Sequence, residues 1–93
     1  NSGLTVLFVN FGEKEVDKCQ ELAHNLRKRG VDCEIYPTDV KLQKQMKYAN
    51  DRGVKYTVLL GENELIDEKL VLKNMDSGEQ LNFSFSEFID FTF

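Results

Sequence analysis

Ninety-three residues suffice for one domain around one modest hydrophobic core, and a single domain over residues 1–93 is expected. With 41% hydrophobic and 30% charged residues the chain has an ordinary globular composition, while a net charge of −4 speaks against coating nucleic acid by bulk attraction and leaves room for one local basic surface. No apolar run approaches the roughly 18 residues of a membrane span, and Leu4 to Val9 is too short for a signal peptide and lacks its cleavage pattern, so no membrane partner is expected.

Asn1-Ser2-Gly3 is either native or a remnant of expression and is left out of the fold. Leu4 to Val9 is apolar, β-branched and uncharged, as in a strand covered on both faces. Asn10-Phe11-Gly12 breaks it. From Glu13 to Arg29, Val16, Cys19, Leu22, Ala23 and Leu26 make a stripe of helical period, with acidic residues in the first turn, basic ones in the last and Gly30 as the cap. Val31 to Tyr36 alternates, so it reads as a strand nearer a sheet edge. Pro37 ends it, and Thr38 or Asp39 is expected to cap a second helix whose apolar stripe is Leu42, Met46 and Ala49, ending at Gly53. In that helix Gln45 sits beside the stripe while Lys44 and Lys47 project away.

Val54 to Leu60 reads as a third strand, followed by a turn carrying Glu62, Glu64, Asp67 and Glu68. Lys69 to Lys73 and Gln80 to Phe85 read as two further strands joined at Asp76-Ser77-Gly78, and Ser86 is expected to cap a last helix, Glu87 to Phe91, that docks Phe88 and Ile89 on the sheet. The order βαβαβ, hairpin, helix predicts an α/β fold with parallel strands, right-handed crossovers and three layers.

Catalysis finds little support. There is no GxGxxG or GxxxxGK[ST], and Asn10 and Gly61 stand where a phosphorelay receiver needs aspartates. His24 falls on the exposed side of the first helix, and the turn carboxylates Glu62 and Glu64 have no apolar neighbours to raise a pKa. Cys19 and Cys33 lack zinc spacing and read as reduced, packed thiols of a cytosolic domain, so a cytoplasmic location is expected. No catalytic residue, metal or cofactor is assigned to the chain.

Residues 41 to 55 carry five basic side chains against Asp51 alone. One reading is a solvated helix face. The other is a weak electrostatic footprint for RNA, with Lys41, Lys44 and Lys47 as backbone contacts inferred from charge. Asn10, Phe11, Asp39, Gln45, Tyr48 and Glu64 are then residue types suited to unpaired bases.

Two blocks carry a resemblance. K-Q-M-K-Y-A-N-D-R-G-V-K-Y-T-V-L-L-G-E-N-E-L, Lys44 to Leu65, resembles the anticodon-binding domain of class II aminoacyl-tRNA synthetases. L-K-N-M-D-S-G-E-Q, Leu72 to Gln80, resembles the histidyl-tRNA synthetases in particular, which tend to carry a K-x-L-x-x-G-E-Q run there. The likeness covers Leu4 to Phe91. It implies a five-stranded mixed sheet of order 2-1-3-4-5 with strand 4 antiparallel, in an α/β/α sandwich. It also implies recognition of the anticodon stem-loop of histidine tRNA by Glu64, Lys73 and Asp39, with Asp39 unsuited to direct phosphate contact. The ligase chemistry, with its ATP and magnesium, would belong to a catalytic domain preceding Leu4, absent from this chain, through which the parent enzyme would form a homodimer. The alternative is a synthetase-like domain reused for regulation or protein interaction without tRNA charging.

Overall fold

A computed structural model describes residues 3–93; Asn1 and Ser2, part of the segment set aside above, lie outside the described residues. The elements are β1 (Val6–Phe8), α1 (Glu13–Lys28), β2 (Cys33–Ile35), α2 (Leu42–Arg52), β3 (Tyr56–Leu59), α3 (Glu62–Asp67), β4 (Lys69–Asn74), β5 (Gln80–Ser84) and α4 (Phe85–Asp90). The five strands form one sheet in the order β2-β1-β3-β4-β5. β1 pairs in parallel with β2 and β3, and β4 runs antiparallel to both β3 and β5. This is the topology the resemblance implied, and the alternating segment Val31 to Tyr36 supplies the edge strand β2.

The layers follow from strand alternation. Val6, Phe8, Val58, Leu70 and Leu72 point to one face, where Cys19, Leu22, Ala23 and Leu26 of α1 and Phe88 of α4 complete the main core. The α1 helix also contacts α3 on that side. Leu7 points to the other face, where Ala49 of α2 and Val54 form a smaller cluster with Tyr36, Tyr48 and Met75 packed against it. At the far end Tyr56, Phe83, Phe88, Phe91 and Phe93 form a web of aromatic contacts. Arg29 fastens it by donating to the carbonyls of Ile89 and Phe91.

Four local expectations are corrected. First, α2 begins after Lys41, and neither Thr38 nor Asp39 caps it; the N-cap Lys41 offers no side-chain bond. The preceding carbonyl, that of Val40, is taken by the Gln45 side chain at 2.9 Å, which holds residues 38–40 outside the helix. The far end matches, with Gly53 in the left-handed conformation at φ 67°.

Second, α2 is rotated relative to the Leu42–Met46–Ala49 stripe. It buries Gln45 completely with Ala49, and leaves Leu42 43% exposed. Gln45 Oε1 accepts from the Asn10 N–H at 2.7 Å and its Nε2 donates back to the Asn10 carbonyl at 2.9 Å. The side-chain amide thus continues the backbone pairing just beyond β1, and a buried polar group with all these partners is tolerated.

Third, the acidic turn is a helix, α3, started at Gly61 and stopped by Glu68 at φ 56°. Six residues are too short for a helical period to show in the sequence. Fourth, Ser84 rather than Ser86 caps α4: its hydroxyl accepts from the Glu87 N–H at 3.1 Å, and Glu87 accepts from the Ser84 N–H at 2.8 Å.

Candidate nucleic-acid interface

The carboxyl ends of the parallel strands converge on one edge of the sheet, the place where ligands of open α/β sheets gather. Three loops meet there: Asn10-Phe11-Gly12 after β1, Pro37-Thr38-Asp39 after β2 and Gly61 ahead of α3. An open cleft of about 370 Å³ separates the first two, lined by Asn10, Gly12, Glu13, Val16, Pro37, Thr38 and Asp39. Asn10 builds its floor. Its side chain donates to the Tyr36 carbonyl at 2.9 Å and accepts from the Gly12 N–H at 3.0 Å, so the loops after β1 and β2 are fixed to each other.

Glu64 sits at the third position of α3, where its Oε1 accepts from the Gly61 N–H at 2.8 Å. This bond satisfies a helix-start donor and orients the carboxylate at the sheet edge. Gly61 lies tight against this carboxylate: a Cβ there would lie 2.9 Å from Glu64 Oε1, displacing the carboxylate from its bond, and 4.0 Å from Phe11 Cδ2. Phe11 itself is 41% exposed.

Lys73 lies elsewhere. In β4, Leu70 and Leu72 face the main core, so Lys69, Val71 and Lys73 face the α2 side. Lys73 stands between Thr57 of β3 and Gln80 of β5 in the ladder and is half-buried. From the level of Thr57 to Gly61 is roughly 13 Å along the strand direction. Glu64 and Lys73 therefore lie at different levels of the sheet. Asp39 is exposed beside the cleft, on the β2 side of Phe11.

The N-cap lysine and the two lysines within α2 divide. Lys47 is bridged to Asp51 at 2.8 Å, and that hydrogen bond and charge raise its ammonium pKa above the ordinary value. Lys41 and Lys44 are exposed and form no ion pair among the described residues. Of the residue types named for base contact, Phe11, Asp39 and the outer oxygen of Glu64 remain presented to solvent. Asn10 and Gln45 are consumed by the bonds above, and Tyr48 donates to Glu34 at 2.9 Å and accepts from Arg52. These three are corrected from candidate readers to framework. Phe11, in contrast, stands out only in the fold, since one aromatic next to a glycine carries no sequence signal of its exposure.

The remaining titratable groups offer no catalytic set. Burial, with a smaller push from Glu15, raises the Cys19 thiol to about 12, and burial raises Cys33 as well, despite Arg27 beside it. Neither thiol is a nucleophile at neutral pH. Among the described residues no cluster of His, Cys, Asp or Glu is placed to hold a metal ion, and no helix is long and apolar enough to cross a membrane.

Known proteins with this geometry point one way. The histidine–tRNA ligase of Phocaeicola vulgatus is 48% identical over 79 residues, 85% of this chain and 17% of the ligase. The apo histidyl-tRNA synthetase structure from S. aureus superposes with a TM-score of 0.88 at 27% identity, over 97% of this chain and 26% of that one. The RNA binding domain of threonyl-tRNA synthetase from Cryptosporidium parvum shares the fold, with a TM-score of 0.84 at 22% identity over 94% of this chain and 22% of its own. The chain thus spans between about a sixth and a quarter of the length of these proteins. Residues 5–92 match the family described as the anticodon binding domain, and the chain belongs to that family.

Proposed function

We propose that this chain is the C-terminal, anticodon-recognising domain of a histidine–tRNA ligase, non-catalytic by itself. The observation that supports it most is the 48% identity to such a ligase across nearly the whole chain. In the parent enzyme a separate domain, preceding Leu4, would join histidine to its tRNA with ATP and magnesium and would form the homodimer; the enzyme would work in the cytoplasm. The alternative of a regulatory or protein-interaction module finds no support among the relatives described above.

In this reading the anticodon loop of histidine tRNA lies along the sheet edge and the α2 side of β4. Glu64, with one oxygen held by Gly61, uses the other to accept from the amino or imino edge of a base. Lys73 donates to a base or phosphate acceptor of a different nucleotide, and Asp39, at the cleft, accepts from a third. Lys41, Lys44 and, to a smaller degree, Lys47 attract the RNA backbone and position the loop without reading sequence. The local separation of charge fits this division: acceptors at the edge favour bases over phosphates, and the free lysines lie along the neighbouring helix.

The experiment is binding of the 93-residue chain to a synthetic hairpin with the histidine anticodon loop, beside hairpins with each anticodon base replaced. Preference for the histidine anticodon supports the reading. Equal binding of all hairpins removes it and leaves an electrostatic surface only.

A further inference from the structure

Phe11 is a large apolar side chain left exposed at the carboxyl end of the inner strand β1, in a loop that is not free to fold it away. The residue before it is held at both backbone groups by Gln45, at 2.7 and 2.9 Å, and the residue after it by Asn10 Oδ1 at 3.0 Å. The ring is therefore presented by a pinned backbone. Beside it lies Gly61, where a Cβ would come 4.0 Å from Phe11 Cδ2 and 2.9 Å from Glu64 Oε1, so the Phe11 ring edge and the Glu64 carboxylate are near neighbours across this glycine.

We propose that Phe11 is a stacking platform for one unpaired RNA base, whose hydrogen-bonding edge meets the outer oxygen of Glu64. This rests on the anticodon-binding reading and adds to it a residue and a type of contact. The surroundings choose the occupant. The Glu64 carboxylate lies beside the ring across Gly61, so an apolar partner covering the ring would bury that carboxylate without compensation. The same carboxylate repels a phosphate. A flat heteroaromatic with N–H donors on its edge satisfies both neighbours: its face covers the ring, and its edge supplies the donor that the carboxylate lacks. Stacking tolerates any base, whereas the carboxylate selects those with an amino or imino donor.

The test titrates the 93-residue chain with the histidine-anticodon hairpin and with hairpins carrying an abasic nucleotide at each anticodon position in turn. Phe11→Ala should weaken binding by about 5- to 150-fold. Phe11→Tyr should bind nearly as the parent chain, and Phe11→Leu, which keeps the apolar bulk, should lose most of the affinity. The Phe11→Ala loss should be the same at low and high salt, since no charge is removed. With the abasic nucleotide at the stacked position, Phe11→Ala should cost nothing further. The abasic hairpin on the unmodified chain gives the same readout with no change to the protein, which separates stacking from any effect on folding. The proposal is overturned if Phe11→Ala binds as the parent while Glu64→Ala or Lys73→Ala weakens binding; the surface then reads RNA without stacking on this ring. It is also overturned if no abasic position removes the effect of Phe11→Ala. Failure of the unmodified chain to bind the hairpin at all overturns both this proposal and the reading beneath it.

Discussion

Glu64 Oε1 lies 2.8 Å from the Gly61 N–H, so the carboxylate proposed to read a base also closes the first turn of its own helix. The two roles can be separated. Glu64→Gln keeps a carbonyl oxygen for the Gly61 N–H but turns an amide donor outward. It should unfold like the parent and still lose roughly 1–3 kcal/mol of hairpin binding. Glu64→Ala should lose a similar amount of binding and, in addition, about 1 kcal/mol of stability from the lost hydrogen bond. Thermal unfolding and hairpin titration of both variants check this.

The Gln45 amide pairs with both backbone groups of Asn10, and both residues are buried. Gln45→Ala strands those groups and opens a gap beneath α2. It should cost about 2–4 kcal/mol in denaturant unfolding. Gln45→Leu, similar in volume, should recover little of that, because the loss lies in the unsatisfied amides and not in the packing.

These two residues mark how far the sequence could be read. The strands, α1 and the end of α2 at Gly53 announce themselves through period, charge at the termini and a glycine in the left-handed region. The rotation of α2 does not, because a glutamine is a plausible core residue only once the end of β1 is known to face it. α3 was invisible for its shortness. The start of α4 was legible and missed: Ser84 and Glu87 have the spacing of a capping box, whereas Ser86 and Glu87 are adjacent. At the interface, the sequence offered six residue types for base contact. Hydrogen bonding within the fold removes Asn10, Gln45 and Tyr48 from that set, and no local pattern could have distinguished them from Phe11, Asp39 and Glu64.

The thiols make a pH prediction. The Cys19 pKa is raised from 9.0 to about 12 in the fold, so above pH 9 the unfolded chain releases a proton that the folded chain keeps. A raised pKa of this kind leaves stability intact below pH 9 and erodes it as pH rises toward 12. The slope approaches about 1.4 kcal/mol per pH unit for one such group. Denaturant unfolding at pH 8 and at pH 10.5 should show a steeper loss for the parent chain than for Cys19→Ala, whose stability is lower at pH 8 but less dependent on pH.

The lysines at the N-cap of α2 and within it differ in what they are free to do. Lys41→Ala and Lys44→Ala should each weaken hairpin binding alike for all anticodons, and each should reduce the slope of log affinity against log salt by about 1 where the lysine meets a phosphate. Lys47→Ala should have a smaller effect, because its ammonium is already engaged by Asp51. Affinity measured at several salt concentrations for the three variants distinguishes these contributions.

Base readout and electrostatic attraction part most clearly at Lys73, which stands on the sheet itself between Thr57 and Gln80 and not on α2. The decisive measurement is the affinity of the parent chain and of Lys73→Ala for the histidine-anticodon hairpin relative to hairpins with altered anticodons, at one moderate salt concentration. The parent should prefer the histidine anticodon, and Lys73→Ala should lose roughly 1–3 kcal/mol on that hairpin and less on the others. A parent chain that binds every anticodon equally, with Lys73→Ala indistinguishable from it, would contradict anticodon recognition by this surface.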